Sequence, residues 1–266
     1  MNNYEIMMNG NVKIGEYAPE FEAMTTMGNI KLSDYKGKWI VLFSHPGDFT
    51  PVCTTEFIAF SRANTYFERL NTCLIGLSID SNPSHLAWLY DICLKTGITV
   101  PFPVIADRSG EIARKYGMVS SAISNTETVR NVFVIDDKQV VRAILVYPIN
   151  IGRNISEILR IVKALQTSEA NNLMTPANWV PCEQMIVKMP QTFKELEERN
   201  KNVEKYKNGM NWYLSFEEPK KCEIEEKRAD TYSEKKIEKN NENNVMKNRS
   251  IENIRNPRTI QWRNFK

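Results

Sequence analysis

Five consecutive apolar residues, Trp39-Ile40-Val41-Leu42-Phe43, run into Ser44-His45-Pro46-Gly47-Asp48-Phe49-Thr50-Pro51-Val52-Cys53-Thr54-Thr55-Glu56. This junction constrains the fold more than any other stretch of the chain. An apolar run bounded by Gly37 and Pro46 reads as a strand buried on both faces. Behind the loop, Phe57, Phe60, Phe67 and Leu70 recur at about helical spacing, which predicts a helix over 54–70 with one apolar face. The order is therefore strand, proline-stiffened loop and helix, and the loop delivers one cysteine to the helix head. There the unpaired N–H groups and the positive dipole end favour negative charge, so a thiolate at Cys53 is stabilised. Thr50 can turn its hydroxyl toward the same point, and Pro46 can shield the sulfur from bulk water.

The same alternation continues. Leu74 to Ile79 reads as a second buried strand, and Ser84 to Thr96 as a helix stopped by Gly97. Arg130 to Ile135 and Val140 to Tyr147 flank Asp136-Asp137-Lys138, which reads as a hairpin turn. Ile155, Ile158, Leu159, Val162 and Leu165 share one helical face. Strands alternating with helices predict an α/β fold whose mixed central sheet is covered on both sides. From Thr175 the pattern loosens, with one further Glu- and Lys-rich helix over Gln191 to Tyr206. Residues 220–266 are mostly Lys, Arg, Glu and Asn without sustained apolar period, which predicts a mildly basic, disordered tail. The expected divisions are a main domain over 12–168, a C-terminal extension over 169–219 and the tail over 220–266.

Composition removes several function classes. With 35 basic and 32 acidic residues the formal charge is only +3, too balanced for a field that attracts nucleic acid. Trp262 and Phe265 in the tail do not form a nucleic-acid motif. No apolar run is long enough to span a bilayer, and Met1-Asn2-Asn3-Tyr4-Glu5 lacks the start of a secretory signal. The five cysteines (Cys53, Cys73, Cys93, Cys182 and Cys222) are odd in number and widely spaced, which argues against a disulfide scaffold and for the reducing cytoplasm. No Cys-x-x-Cys occurs, so a dithiol disulfide exchanger is not expected. Cys73 and Cys93 read as core thiols. His45 and His85 are distant in sequence and do not predict a metal site.

Pro46, Thr50 and Cys53 form Pro-x-x-x-Thr-x-x-Cys, which resembles the peroxiredoxin signature. Ser44-His45 and Thr54-Thr55-Glu56 are similar to the one-cysteine branch of that family. Further landmarks follow in family order: Arg130 to Asp136, Tyr147-Pro148, Gly152-Arg153-Asn154, Glu157 to Arg160 and Thr175 to Trp179. The resemblance covers roughly residues 12–215. It implies a thioredoxin-like fold and a thiol-dependent peroxidase acting on hydrogen peroxide and organic hydroperoxides. It also implies a homo-oligomer, dimer or ring of dimers, without metal, haem, flavin or other cofactor.

The resemblance implies roles as well. Cys53 would be the peroxidatic nucleophile, passing through a sulfenic acid. Thr50 would hydrogen-bond the sulfur and the incoming oxygen, with the Val52 and Cys53 amides beside it. Arg130 would hold the peroxide, favour the ionised sulfur and stabilise the departing oxygen. Glu56 would orient that arginine, and Arg153 would join the same network. His45 would lie near the sulfur, or else be an ordinary loop histidine satisfied by a backbone carbonyl. His85 has no implied role. Regeneration would fall to an external thiol, either a thioredoxin-like protein or a small thiol. Some relatives carry resolving cysteines around a C-terminal aromatic cluster. Asn211-Trp212-Tyr213-Leu214-Ser215-Phe216 resembles that cluster, with Ser215 where those relatives have cysteine. Cys222 is the candidate substitute, and Cys182 remains a further possibility. The phospholipase activity credited to some relatives is not expected, because Tyr35-Lys36-Gly37-Lys38-Trp39 offers no serine nucleophile. A non-catalytic peroxide sensor or chaperone on the same scaffold is the competing reading.

Overall fold

A computed structural model describes residues 12–119, 127–202 and 207–220. The tail beyond Lys220, with Cys222, Trp262 and Phe265, lies outside the described residues. The chain divides between Gln166 and Thr167 into two compact units.

The first unit is built on a seven-stranded mixed sheet of order β2-β1-β5-β4-β3-β6-β7. Its strands are β1 (Glu22–Thr25), β2 (Gly28–Lys31), β3 (Trp39–Ser44), β4 (Thr72–Ser78), β5 (Val104–Ala106), β6 (Arg130–Ile135) and β7 (Val141–Tyr147). Its helices are α1 (Pro51–Arg69), α2 (Asn82–Thr96), α3 (Glu111–Lys115) and the larger part of α4 (Ile155–Asn171). Strand β3 pairs parallel to β4 and antiparallel to β6, which places its C-terminal end at the centre of the sheet.

All six residues of β3 are buried, as its unbroken apolar run requires. The two-residue period of a strand then sends alternate side chains to opposite cores. Trp39, Val41 and Phe43 join Phe57, Phe60 and Phe67 of α1, Trp88 of α2 and Ile158 and Val162 of α4. Ile40 and Leu42 join Ile75 and Leu77 of β4, Ile112 of α3 and Tyr116. The sheet is thus covered on both sides by helical residues.

Local signals explain the element ends. Helix α2 begins where the Ser81 hydroxyl accepts from the Ser84 amide, with proline in its first turn, and ends at Gly97 in the left-handed region at φ 72°. The β6–β7 turn is closed by Asp136, whose carboxylate accepts from the amides of Lys138 (3.0 Å) and Val140 (2.8 Å). Helix α1 starts three residues earlier than its apolar spacing indicates, because Pro51 is pre-set for the first helical turn and Cys53 within that turn is itself buried.

The second unit carries a four-stranded antiparallel sheet of order β10-β11-β9-β8 and the helix α5 (Phe193–Lys201). Its strands are β8 (Leu173–Met174), β9 (Met185–Val187), β10 (Lys207–Asn211) and β11 (Leu214–Glu217). The helix expected over 191–206 is shorter: Thr192 caps it by accepting from the Glu195 amide, and it ends at Lys201. Among the described residues no helix is long and apolar enough to cross a membrane.

Candidate active site

Cys53 occupies the third position of α1, and the first helical bond runs from the Thr54 amide to the Thr50 carbonyl at 3.0 Å. Pro51 has no N–H, so the amides of Val52 and Cys53 precede that bond and have no acceptor within the helix. The residue is fully buried, and its sulfur accepts a hydrogen bond from Arg130 Nη1 at 3.2 Å. Arg130 opens β6, on the strand next to β3, so the sheet places its guanidinium under the helix head.

The guanidinium is held on every side. Its Nη1 also donates to Glu56 Oε2 at 2.8 Å, while Nε and Nη2 donate to the Ile149 carbonyl at 3.0 and 2.8 Å. Glu56, one turn after Cys53, accepts from a second arginine. Arg153 Nε reaches its Oε1 at 2.9 Å and Arg153 Nη2 its Oε2 at 2.6 Å, with the Arg153 amide adding a bond at 2.9 Å. The remaining Arg153 nitrogen donates to the carbonyls of Ser44 (2.8 Å) and Asn131 (3.1 Å), and the guanidinium lies over the Phe43 ring at 5.1 Å. Burial pulls the Arg153 ionisation down and Glu56 opposes it. The network expected around Cys53, Glu56, Arg130 and Arg153 is therefore assembled in one place, and Arg153 is no surface residue.

Thr50 differs from expectation in its donor. Its hydroxyl donates to the Gly47 carbonyl at 2.9 Å, not to the sulfur, so only its lone pairs face other groups. Pro46 is buried. His45 is also placed differently: Nε2 bonds Asp48 Oδ1 at 3.1 Å, and the ring stacks on Trp88 at 5.3 Å. Its partner is neither the sulfur nor a backbone carbonyl. His85, given no role from sequence, meets both oxygens of the same Asp48 at 2.9 Å. The two histidines, distant in sequence, are thus brought together about one carboxylate, their ligating atoms within 4.8 Å of one another. Only the sheet, which sets α2 beside the loop after β3, could reveal this.

The other cysteines have separate surroundings. Cys73 and Cys93 are half-buried rather than core thiols, and burial pushes the Cys73 thiol up. Cys93 Sγ lies 3.5 Å from Thr99 Oγ1. Cys182 is disulfide-bonded. Ser215 is buried and donates to the Asn211 carbonyl at 3.1 Å.

Comparison with known proteins identifies the family of the chain. Residues 14–144 match the AhpC/TSA family, and residues 164–208 match the C-terminal domain of 1-Cys peroxiredoxin. The chain is 57% identical over 204 residues to "Peroxiredoxin 2" of Caldanaerobacter subterraneus subsp. tengcongensis, covering 77% of this chain and 92% of the relative. It is 54% identical over 192 residues to a peroxiredoxin of Aquifex aeolicus, covering 72% and 83%. Among solved structures it is similar to a cysteine-to-serine mutant of peroxiredoxin 6 of Arenicola marina, with TM-score 0.70, 33% identity and coverage of 79% and 100%. A yeast mitochondrial 1-Cys peroxiredoxin matches with TM-score 0.68 and 39% identity over 78% of this chain and 99% of that one. With the mixed sheet, the helix-head cysteine and these relatives in view, the chain belongs to the peroxiredoxin family and is a thiol-dependent peroxidase of thioredoxin-like fold.

Proposed function

We propose that Cys53 is the peroxidatic cysteine and that the enzyme reduces hydrogen peroxide and organic hydroperoxides in antioxidant defence. The observation that carries this is the 3.2 Å bond from buried Arg130 to the Cys53 sulfur. Charge balance supports it. Two buried guanidiniums, Arg130 and Arg153, face one buried carboxylate, Glu56, and an ionised sulfur supplies the missing negative charge.

In this reading the thiolate attacks one peroxide oxygen. A sulfur–oxygen bond forms as the oxygen–oxygen bond breaks, giving Cys53 sulfenic acid. The other oxygen leaves as hydroxide or alkoxide and takes a proton to become water or an alcohol. Sulfur loses two electrons and the peroxide gains them. Arg130 and the Val52 and Cys53 amides are placed to hold the peroxide and the negative charge on the leaving oxygen. Thr50, its donor committed to Gly47, can accept from the peroxide hydroxyl. Glu56 and Arg153 hold Arg130 in place.

Regeneration uses an external thiol. The yeast relative's structure was described for thiol resolving through glutathione and thioredoxin systems, and that chemistry fits a site with one active cysteine. Cys222, the candidate resolving cysteine, lies outside the described residues. A cytoplasmic homo-oligomer is the form we infer. Strand β7 is one of the two edges of the sheet. Its start is covered by Gly15 and Glu16, which bond Val141, while Val146 further along is 64% exposed, and such edges favour pairing with a second chain.

Stopped-flow peroxide reduction with a thiol reductant tests the assignment. Cys53→Ser abolishes turnover, and Cys73→Ser leaves it nearly intact. Trapping of the oxidised sulfur with a dimedone reagent places the sulfenic acid at residue 53. Turnover in Cys53→Ser would overturn the reading. Stoichiometric oxidation without turnover would favour the sensor.

A further inference from the structure

The cluster formed by His45, Asp48 and His85 is not used by the chemistry above, yet it sits in the wall of the cysteine loop. Its side chains are 0%, 2% and 0% exposed. A carboxylate this deep needs hydrogen-bond donors and a balancing positive charge. His85 provides both. Its Nδ1 meets the Asp48 carboxylate at 2.9 Å, and its Nε2 meets the Ile105 carbonyl of β5 at 3.2 Å. Neither oxygen has a hydrogen to offer, so both ring nitrogens of His85 must donate. The ring therefore carries both protons and balances Asp48.

His45 is the opposite case. Nε2 meets Asp48 Oδ1, so the hydrogen is on Nε2. Burial pushes its second ionisation down, opposed by Asp48 and aided by the positive fields of His85 and Arg153. Its Nδ1 is a buried atom with no hydrogen-bond partner among the described residues. Asp48 itself is pushed up by burial, but its bonds to His45 and His85 outweigh this and hold it well below the usual carboxylate range. Asp80 completes the surroundings, accepting from the Asp48 amide at 2.8 Å.

We propose that His85 is a positioning residue of the peroxidase site: through Asp48 it fixes His45 as the tautomer with hydrogen on Nε2 and a bare Nδ1. Without His85, Asp48 would draw its balancing proton onto His45 and place a further cation near Arg153. The same anchor sets the loop. Asp48 follows Gly47, whose carbonyl receives the Thr50 hydroxyl. Helix α2 acts on both flanks of Cys53, since Trp88, one turn after His85, donates from its indole to Thr54 Oγ1 at 3.2 Å. In this arrangement protons already bridge the ligating atoms, so a divalent metal would have to displace them. The kinetic consequence rests on Cys53 being the nucleophile; the proton pattern does not.

The chain has only two histidines, so long-range nitrogen–proton NMR of the reduced full-length protein reads each ring. At neutral pH one ring should carry both hydrogens (His85) and the other a hydrogen on Nε2 alone (His45). In His85→Gln, His45 should gain its second hydrogen, and peroxide reduction should slow on the order of tenfold with a rate–pH profile that differs from the parent's. Asp48→Asn keeps the side-chain shape, and in it His85 should lose its second hydrogen. That variant serves if His85→Gln does not fold. A wild-type His45 with hydrogen on Nδ1, or a His85 with only one hydrogen, would overturn the proposal. So would zinc bound stoichiometrically with both rings shifted. The expected proton pattern together with an active Cys53→Ser would sink the nucleophile assignment and with it the positioning role of His85, leaving only the tautomer of His45 established.

Discussion

Glu56 is the residue on which the site's electrostatics turn, because it alone among the acidic groups in this network faces both Arg130 and Arg153. Glu56→Gln keeps the shape but leaves two buried cations without their carboxylate. We expect a loss of roughly 3–5 kcal/mol in unfolding free energy, read from urea midpoints, because breaking a buried ion network costs that much. A loss below about 1 kcal/mol would show that the charges are solvated. Arg130→Ala removes the donor that touches the sulfur. It should lower the second-order rate with peroxide by about 100- to 1,000-fold, the range for removing one donor from a transition-state cradle. An unchanged rate would exclude Arg130 from the reaction. At this scale the sequence was informative for Cys53, Glu56, Arg130 and Arg153, which fall at recognisable positions of a motif. It was silent on His85, whose partner Asp48 is 37 residues away.

At the scale of elements, the close contact of α1 and β4 has a specific device. Gly76 faces the ring of Phe57, and a methyl group there would lie 3.2 Å from Phe57 Cζ and 3.5 Å from Phe43 Cζ and Val104 Cγ1. Phe57 is one turn beyond Cys53, so pressure at Gly76 is passed to the helix that carries the nucleophile. Gly76→Ala should cost about 1–3 kcal/mol of stability by overpacking. It should also slow peroxide reduction, and a variant as stable and as fast as the parent would show that α1 can shift freely. Long, strongly periodic elements such as α1, α2 and β3 were legible because their apolar spacing repeats over several turns or residues. The β1–β2 hairpin, β5 and α3 were not. They are only three to five residues long, too short for a period to stand out, and β1 and β2 are largely exposed.

For the molecule as a whole, Asp48 ties acid stability to the architecture of the active-site loop. Its folded-state ionisation lies below the unfolded value of about 3.9. The stability it contributes is therefore complete above that unfolded value and is lost as the pH falls toward the folded one. The gap in urea midpoint between the parent and Asp48→Asn should hold near pH 5 and narrow as the pH falls toward 3. A gap that widens on acidification would contradict the assigned direction.

What the sequence determined by itself was chemistry with a local address: a cysteine at a helix head, a proline-bounded loop, an arginine opening a strand and a two-faced sheet strand. Periodicity and short-range backbone rules are enough for these, because they act within a few residues. Only the tertiary structure decided which distant groups meet. The β3–β6 pairing brings Arg130 under Cys53, and the placement of α2 closes His85 onto Asp48. Such contacts depend on strand order and helix packing, and neither is written in the spacing of residues along the chain.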